Sequence, residues 1–136
     1  MDDASEALLV PAHALFEQVG LAQLADTRLS AFAHGARRPL ELAMTMALKP
    51  RVMLQDEPMA GMSHYESAAM VQLLQSLCVR YAVVLVEHDV DAVFALGDRI
   101  TVMVYGRPIA CGTADEIRKH LEVRQAYLGE QLEAFA

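Results

Sequence analysis

Lysine is nearly absent from this chain. Lys49 follows Leu48 and Lys119 follows Arg118, so no Gly-Lys step occurs anywhere in the 136 residues. A G-x-x-x-x-G-K-[ST] loop, which cradles phosphates with backbone N–H groups and a lysine, is therefore excluded from these residues. Cysteine is scarce too. Cys78 and Cys111 lie far apart and lack metal-ligand spacing, which excludes a cysteine-based metal site. Buried thiols in a reducing compartment are the expectation for both. Aromatics make up only 6% of the chain. No long apolar run is present: Tyr81 to Val86 is the longest, far too short to cross a bilayer. The start, Met1-Asp2-Asp3, is acidic where a secretory signal needs a basic region. The expectation is a cytoplasmic protein whose membrane contact, if any, runs through a partner. A formal charge of −7 argues against a large phosphate-neutralising face, and so against nucleic acid as a main partner. One small nucleotide site remains compatible with it, because local charge decides that.

What is present suits a globular α/β interior: 54% of residues are apolar and 21% charged. A complete domain of this length buries about 68–70% of its unfolded surface. Leu8, Leu9, Ala12, Leu15, Phe16 and Val19 recur at helical spacing, with Gly20 as a stop and Pro11 assigned to the first turn. Residues 21–36 are irregular and include a Gly-containing turn at 33–36. Leu40, Ala43, Met44, Ala47 and Leu48 predict a second amphipathic helix, opened by Pro39 and Glu41 and ended by Pro50. A buried strand over 51–55, a turn over 56–63 and a helix over about 65–79 follow. That helix carries Met70, Leu73, Leu74, Leu77 and Cys78 on one face. Val83 to Val86 reads as a second strand, continuous and apolar as in a parallel sheet covered on both faces. Asp89 is placed to cap the next helix, with Val90, Val93 and Phe94 inward. Ile100–Tyr105 and Pro108–Cys111 predict a hairpin through Gly106-Arg107, and Thr113 a cap for a short helix. A last helix is expected to end near Leu128-Gly129.

A strand–helix–strand unit with apolar strands implies parallel pairing, and such sheets carry their chemistry at the strands' carboxyl ends. Asp56, Glu57 and His88 all fall there. An Asp56 carboxylate suits a hydrated magnesium ion. Glu57, entering the turn, suits acceptance of a proton from an attacking water, a role typically worth ~10² to 10⁴ in rate. His88 suits a hydrogen bond to a terminal phosphate. The plainer alternatives are an acidic strand cap and a satisfied histidine. Glu87, Asp89 and Asp91 read as helix-start carboxylates. Gly35 suits exposure of backbone N–H groups to phosphate, with Arg37 and Arg38 beside it. The methionines Met44, Met46, Met53, Met59, Met62 and Met70 read as adaptable packing.

Taken together, these segments resemble the ATP-binding subunits of ABC transporters, a P-loop NTPase family. Val52–Pro58 is similar to their Walker B strand, and Val83–Asp89 to the strand that leads into the switch histidine. Ala60-Gly61-Met62-Ser63 occupies the D-loop. Phe32-Ala33-His34-Gly35-Ala36 falls where the LSGGQ or LSHGE signature belongs, and the interval from Gly35 to Asp56 fits without a gap. The Ala-Gly-Met D-loop, Leu40-Glu41-Leu42-Ala43 after the signature, and the tail Asp98-Arg99-Ile100 to Ala126-Tyr127-Leu128-Gly129 resemble the branched-chain amino acid and urea importer subgroup. Ala33 replaces the signature serine, Ala36 its polar last residue, and Gln55 interrupts the Walker B strand.

The resemblance implies a partial P-loop (ABC ATPase) α/β fold: a parallel sheet flanked by helices, with a C-terminal hairpin and short helices. It implies a helical-subdomain remnant over 1–50 and an ATPase-core part over 51–136. It implies Glu57 and His88 as catalytic, Asp56 as the magnesium ligand, and Ala33, His34, Gly35, Ala36, Gly61 and Ser63 as nucleotide-binding. ATP and Mg2+ are the implied cofactors. A second ATP-binding subunit and transmembrane permease subunits are the implied partners, at the inner face of the cell membrane. The competing expectation is a truncated, inactive paralogue serving as an interaction module, and a more distant one is a nucleic-acid-associated ATPase.

Overall fold

The computed structural model describes residues 3–128, without the side chains of residues 3–5, His34 and Leu128. The chain divides into two compact units, Met1–His88 and Asp89–Ala136. The expected last-helix end at Gly129 lies outside the described residues.

The first unit opens with α1 (Asp3–Gln18), continues through two single 3-10 turns, Ala22–Leu24 and Leu29–Ala31, and reaches α2 (His34–Ala47). Gly20 does end α1. Its φ of 74° lets the Gly20 N–H reach the Glu17 carbonyl and the Leu21 N–H the Phe16 carbonyl, a Schellman closure. Pro11 departs from its expected place. The helix begins at Asp3, so Pro11 lies two turns in, inside the helix. It removes the hydrogen bond to Ala7, whose exposure leaves that carbonyl to water. The expected inner face of α1 is only partly inner: Leu8, Leu9 and Ala12 are exposed, Leu15 and Phe16 half-buried, Val19 buried. Periodicity says which residues share a face; it does not say that anything covers it.

The second helix begins five residues before the expected Pro39 start, and residues 34–36 form its first turn instead of a separate one. Its buried positions are Leu42, Ala43 and Met46, while Met44, Ala47 and Leu48 are exposed. The apolar run at 40–48 supports two adjacent faces, and α1, which packs on α2, selects one of them. Pro50 follows the end of α2 as expected, after a left-handed Lys49.

β1 (Val52–Asp56), α3 (His64–Cys78) and β2 (Ala82–Val86) complete this unit. The strands pair in parallel, with Val52 opposite Ala82 and Asp56 opposite Val86. Ser63 and Glu66 close a reciprocal capping box at the start of α3, whose Met70, Leu74 and Leu77 are buried at helical spacing. The strands are not buried on both faces, however. Met53 is 1% exposed, but Leu54, pointing the other way, is 75% exposed, and Val52, Val84 and Val86 are more than half exposed. A continuous apolar run permits burial on both faces but does not require it; here only one face is covered.

The second unit contains α4 (Val90–Leu96), β3 (Ile100–Val104), β4 (Arg107–Gly112), α5 (Ala114–Lys119), α6 (Leu121–Val123) and a π-helical turn over Arg124–Leu128. Asp89 caps α4 by accepting from the Asp91 and Ala92 N–H groups. Ile100, Ile117 and Val123 form the core, and Val90, Val93 and Phe94 pack against it as expected. The hairpin turns at Tyr105-Gly106, one residue earlier than expected. Both have positive φ, 47° and 73°, which suits the primed turn that matches strand twist. A register shift after Val102 accommodates Pro108, which has no N–H for the ladder. The Tyr127 hydroxyl donates to the Met103 carbonyl and ties the tail to β3.

The thiols are a further departure, since Cys78 and Cys111 are both exposed. The Thr101 hydroxyl donates to the Cys111 sulfur at 3.3 Å. That bond, with help from Arg99, holds the thiol below its ordinary value.

Among the described residues no helix is long and apolar enough to cross a membrane. Two outcomes follow from the fold. The bare apolar strand face is expected to bind the dye ANS and to drive association at high concentration. Leu54→Thr and Val84→Thr should lower both dye fluorescence and light-scattering mass. Glu116 accepts from the Thr113 N–H in the α5 capping box, and this holds its carboxyl below the ordinary range. A depressed folded value means stabilisation present above the unfolded value and lost as pH falls through the folded one. Exchange of the Thr113 amide should therefore accelerate on acidification beyond the intrinsic trend, and Glu116→Gln should abolish that extra dependence.

Candidate functional site

The site is built by the ends of β1 and β2. Because Asp56 stands opposite Val86, the next residue continues the ladder: the Glu57 N–H donates to the Val86 carbonyl at 2.8 Å. There the strand breaks. Glu57 takes a φ of 45°, a left-handed conformation uncommon outside glycine and concentrated at functional sites. The chain turns at once, with the Ala60 N–H bonded to the Glu57 carbonyl at 3.0 Å and the Met62 N–H to the Met59 carbonyl at 3.1 Å. Pro58 and Met59 are buried and anchor the turn, and Gly61 supplies a φ of 75°.

On the neighbouring strand end, His88 faces Glu57. Its Nδ1 lies 3.4 Å from Glu57 Oε1, with side chains 73% and 51% exposed. This is an ion pair when the imidazole is protonated. An exposed pair contributes about 0–1 kcal/mol, so its own attraction does not set the geometry. The backbone of two registered strands does. The separation is longer than an ordinary hydrogen bond. The pair sits on an open rim. A cleft of about 470 Å3, lined in part by Gly20, Gly35, Pro39, Met62 and Glu66, includes neither residue.

Asp56 is exposed at the last position of β1. Among the described residues no group of three or more His, Cys, Asp or Glu side chains is arranged to hold a metal. One free carboxylate is nevertheless what magnesium uses when phosphates and water complete its shell, so the donor set fits that ion in a nucleotide complex.

The other expected residues lie apart from this pair. Ala33 is the N-cap of α2 and offers no side-chain bond, and Gly35 and Ala36 lie in its first turn. The His34 side chain lies outside the described residues. The Ala36 N–H already bonds the Ala33 carbonyl at 3.1 Å. A Cβ at Gly35 would meet the end of the Glu66 side chain, which would have to shift aside. The Ser63 hydroxyl is engaged with Glu66 at 2.7 Å. Among the described residues no hydrogen bond or ion pair links residues 33–36 to Glu57 or His88.

Glu87 is the residue that sequence reasoning misplaced. It is no helix-start carboxylate, since Asp89 holds that position. Its side chain is 1% exposed, and its two oxygens accept from the Met59 N–H at 3.1 Å and the His88 N–H at 3.0 Å. A carboxylate wedged between an apolar strand and a histidine was the available signal.

Residues 3–60 match the ABC transporter family, and residues 107–133 match the family described as branched-chain amino acid ATP-binding cassette transporter. LivG of Salmonella typhimurium, a high-affinity branched-chain amino acid transport ATP-binding protein, is 38% identical over 116 residues, 84% of this chain and 46% of LivG. BraF of Pseudomonas aeruginosa, described in the same words, is 38% identical over 127 residues, 92% of this chain and 49% of BraF. Among solved structures, cbiO1 of Clostridium perfringens, part of the ABC transporter complex cbiONQ, superposes with a TM-score of 0.78 at 23% identity, over 96% of this chain and 53% of that one. The ATP-binding cassette MJ1267 gives 0.79 at 22% identity, over 90% and 51%. At such identities the likeness shows the fold. The chain spans about half the length of these relatives.

The bare N-cap at Ala33 generates a test of the first turn of α2. Ala33→Ser should stabilise the first unit by about 0.5–2 kcal/mol, since a hydroxyl there can accept from a first-turn N–H. Chemical denaturation monitored by far-UV circular dichroism measures it.

Proposed function

We propose that this chain, related over most of its length to the ATP-binding proteins of branched-chain amino acid ABC transporters, is the C-terminal part of the ATP-hydrolysing subunit of an ABC importer. Its solute class is branched-chain amino acids or related small polar solutes. A single observation carries the hydrolytic reading: Glu57, in a left-handed backbone conformation at a strand end, lies 3.4 Å from His88 on the adjacent strand end.

In this reading Glu57 accepts a proton from a water whose oxygen bonds to the terminal phosphorus, and the bond from that phosphorus to the leaving ADP oxygen breaks. His88 donates to an oxygen of the phosphate in transfer. Asp56 would hold Mg2+, which neutralises phosphate charge when bound. The β- and γ-phosphates need a cradle that residues 1–136 do not contain, so the site is complete only with further polypeptide. Ala33–Ala36 would meet the nucleotide of a second ATP-binding subunit. Residues 1–50 would belong to the helical subdomain that docks on the permease subunits, and residues 51–136 to the ATPase core. That docking would place the protein at the inner membrane face.

Ala33 and Ala36 favour one alternative. A hydrogen bond to a charged phosphate is worth roughly 1.5–3 kcal/mol, and Ala33 has no hydroxyl to make one. A subunit so weakened at its signature would serve as an interaction module beside an intact ATPase.

ATP hydrolysis by the protein as encoded in its gene, beside its Glu57→Gln variant, separates the two. The hydrolytic reading expects a loss of ~10² to 10⁴ in rate from removing a general base. Equal rates would remove the role assigned to Glu57.

A further inference from the structure

Two loops carry the proposed chemistry, one after each strand, and a single buried carboxylate joins them. The Glu87 side chain is 1% exposed, whereas His88 beside it is 73% exposed. Burying a carboxylate is unfavourable unless donors replace the lost water. Two of its donors come from different loops. Met59, two residues after Glu57, gives its N–H to Oε1 at 3.1 Å, and His88 gives its own N–H to Oε2 at 3.0 Å. One oxygen thus holds the turn that follows Glu57, and the other holds the backbone that carries the imidazole. The Glu57 N–H is bonded across to Val86 as well, so two bonds cross between the segments around Glu57 and His88, and the His88 N–H bond fixes the second segment to the same carboxylate.

We propose that Glu87 is a positioning residue that sets the approach of Glu57 to His88 by fixing both loop backbones from beneath. The proposal rests on the reading of Glu57 as base and His88 as phosphate donor. It adds a residue that touches neither water nor phosphate. Charge-assisted bonds to backbone N–H groups are the stronger kind, and holding reacting groups in place is where such rigidity acts on rate. Losing an interaction that acts on the transition state through placement lowers kcat and leaves nucleotide affinity alone.

The test has two arms. Amide exchange of this chain, resolved by residue, reads the placement. Glu87→Ala should accelerate exchange at Met59 and His88 by about tenfold or more while leaving the Ser67 amide of α3 unchanged. Glu87→Gln, of the same shape, keeps one acceptor oxygen and should lose protection at only one of the two amides. Retained protection at both in Glu87→Gln overturns the proposal, even where Glu87→Ala fails to fold. Steady-state hydrolysis by the protein as encoded reads the consequence. Glu87→Gln should lower kcat by about tenfold with KM for ATP unchanged. If Glu57→Gln abolishes hydrolysis but Glu87→Gln leaves kcat untouched, the positioning role is overturned and the functional reading stands. If Glu57→Gln leaves hydrolysis unchanged, the functional reading falls, and the exchange arm still decides whether Glu87 joins the loops.

Discussion

The parallel register of β1 against β2 is the constraint on which the site depends. Setting Asp56 opposite Val86 carries both strands to the same height before they end. The Glu57 N–H then finds the Val86 carbonyl one step beyond the last strand residue, and the two following loops leave from the same edge. A one-residue slip would turn Asp56 and Glu57 to opposite faces relative to β2 and separate Glu57 from His88. Met53, buried opposite exposed Leu54, is what opposes such a slip, because it would exchange a buried side chain for a bare one.

Beyond that edge, ordinary strand geometry gives way to strain and burial. Glu57 adopts a left-handed backbone, which costs of order 1–3 kcal/mol for a non-glycine residue and persists only where surroundings over-determine it. The surroundings are identifiable: the bond to Val86, the buried Pro58 and Met59, and the Glu87 carboxylate accepting from Met59. The exposed Glu57–His88 pair is therefore an outcome of a rigid backbone arrangement and contributes little to it.

The uncovered strand face bears on the same question. Parallel sheets are ordinarily covered on both sides, and a two-stranded pair is a small platform for a strained turn. Leu54, Val84 and Val86 lie open, while the relatives this chain matches are about twice as long. An ATP-hydrolysing assembly would have to supply the phosphate cradle from outside these residues.

Much of this was written locally in the chain. Apolar runs at 52–54 and 83–86 set the strands, and their separation by one helix set parallel pairing. Asp89 and Thr113 settled two helix starts, because a side-chain oxygen and an N–H two or three residues away meet whatever the rest of the molecule does. The meeting of Glu57 and His88 followed from where the strands end. What the sequence could not determine was everything that needed a neighbour. The inward faces of α1 and α2, the open face of both strands, the exposure of Cys78 and Cys111, and the start of α2 ahead of Pro39 depend on which surfaces are covered. Glu87 shows the difference most plainly. A carboxylate beside a helix start is ordinarily a cap, and only the arrival of Met59, 28 residues away in sequence, makes it a buried acceptor. Hydrophobic periodicity and capping are properties of a few consecutive residues, whereas burial and long-range hydrogen bonds belong to pairs of segments that only the folded chain brings together.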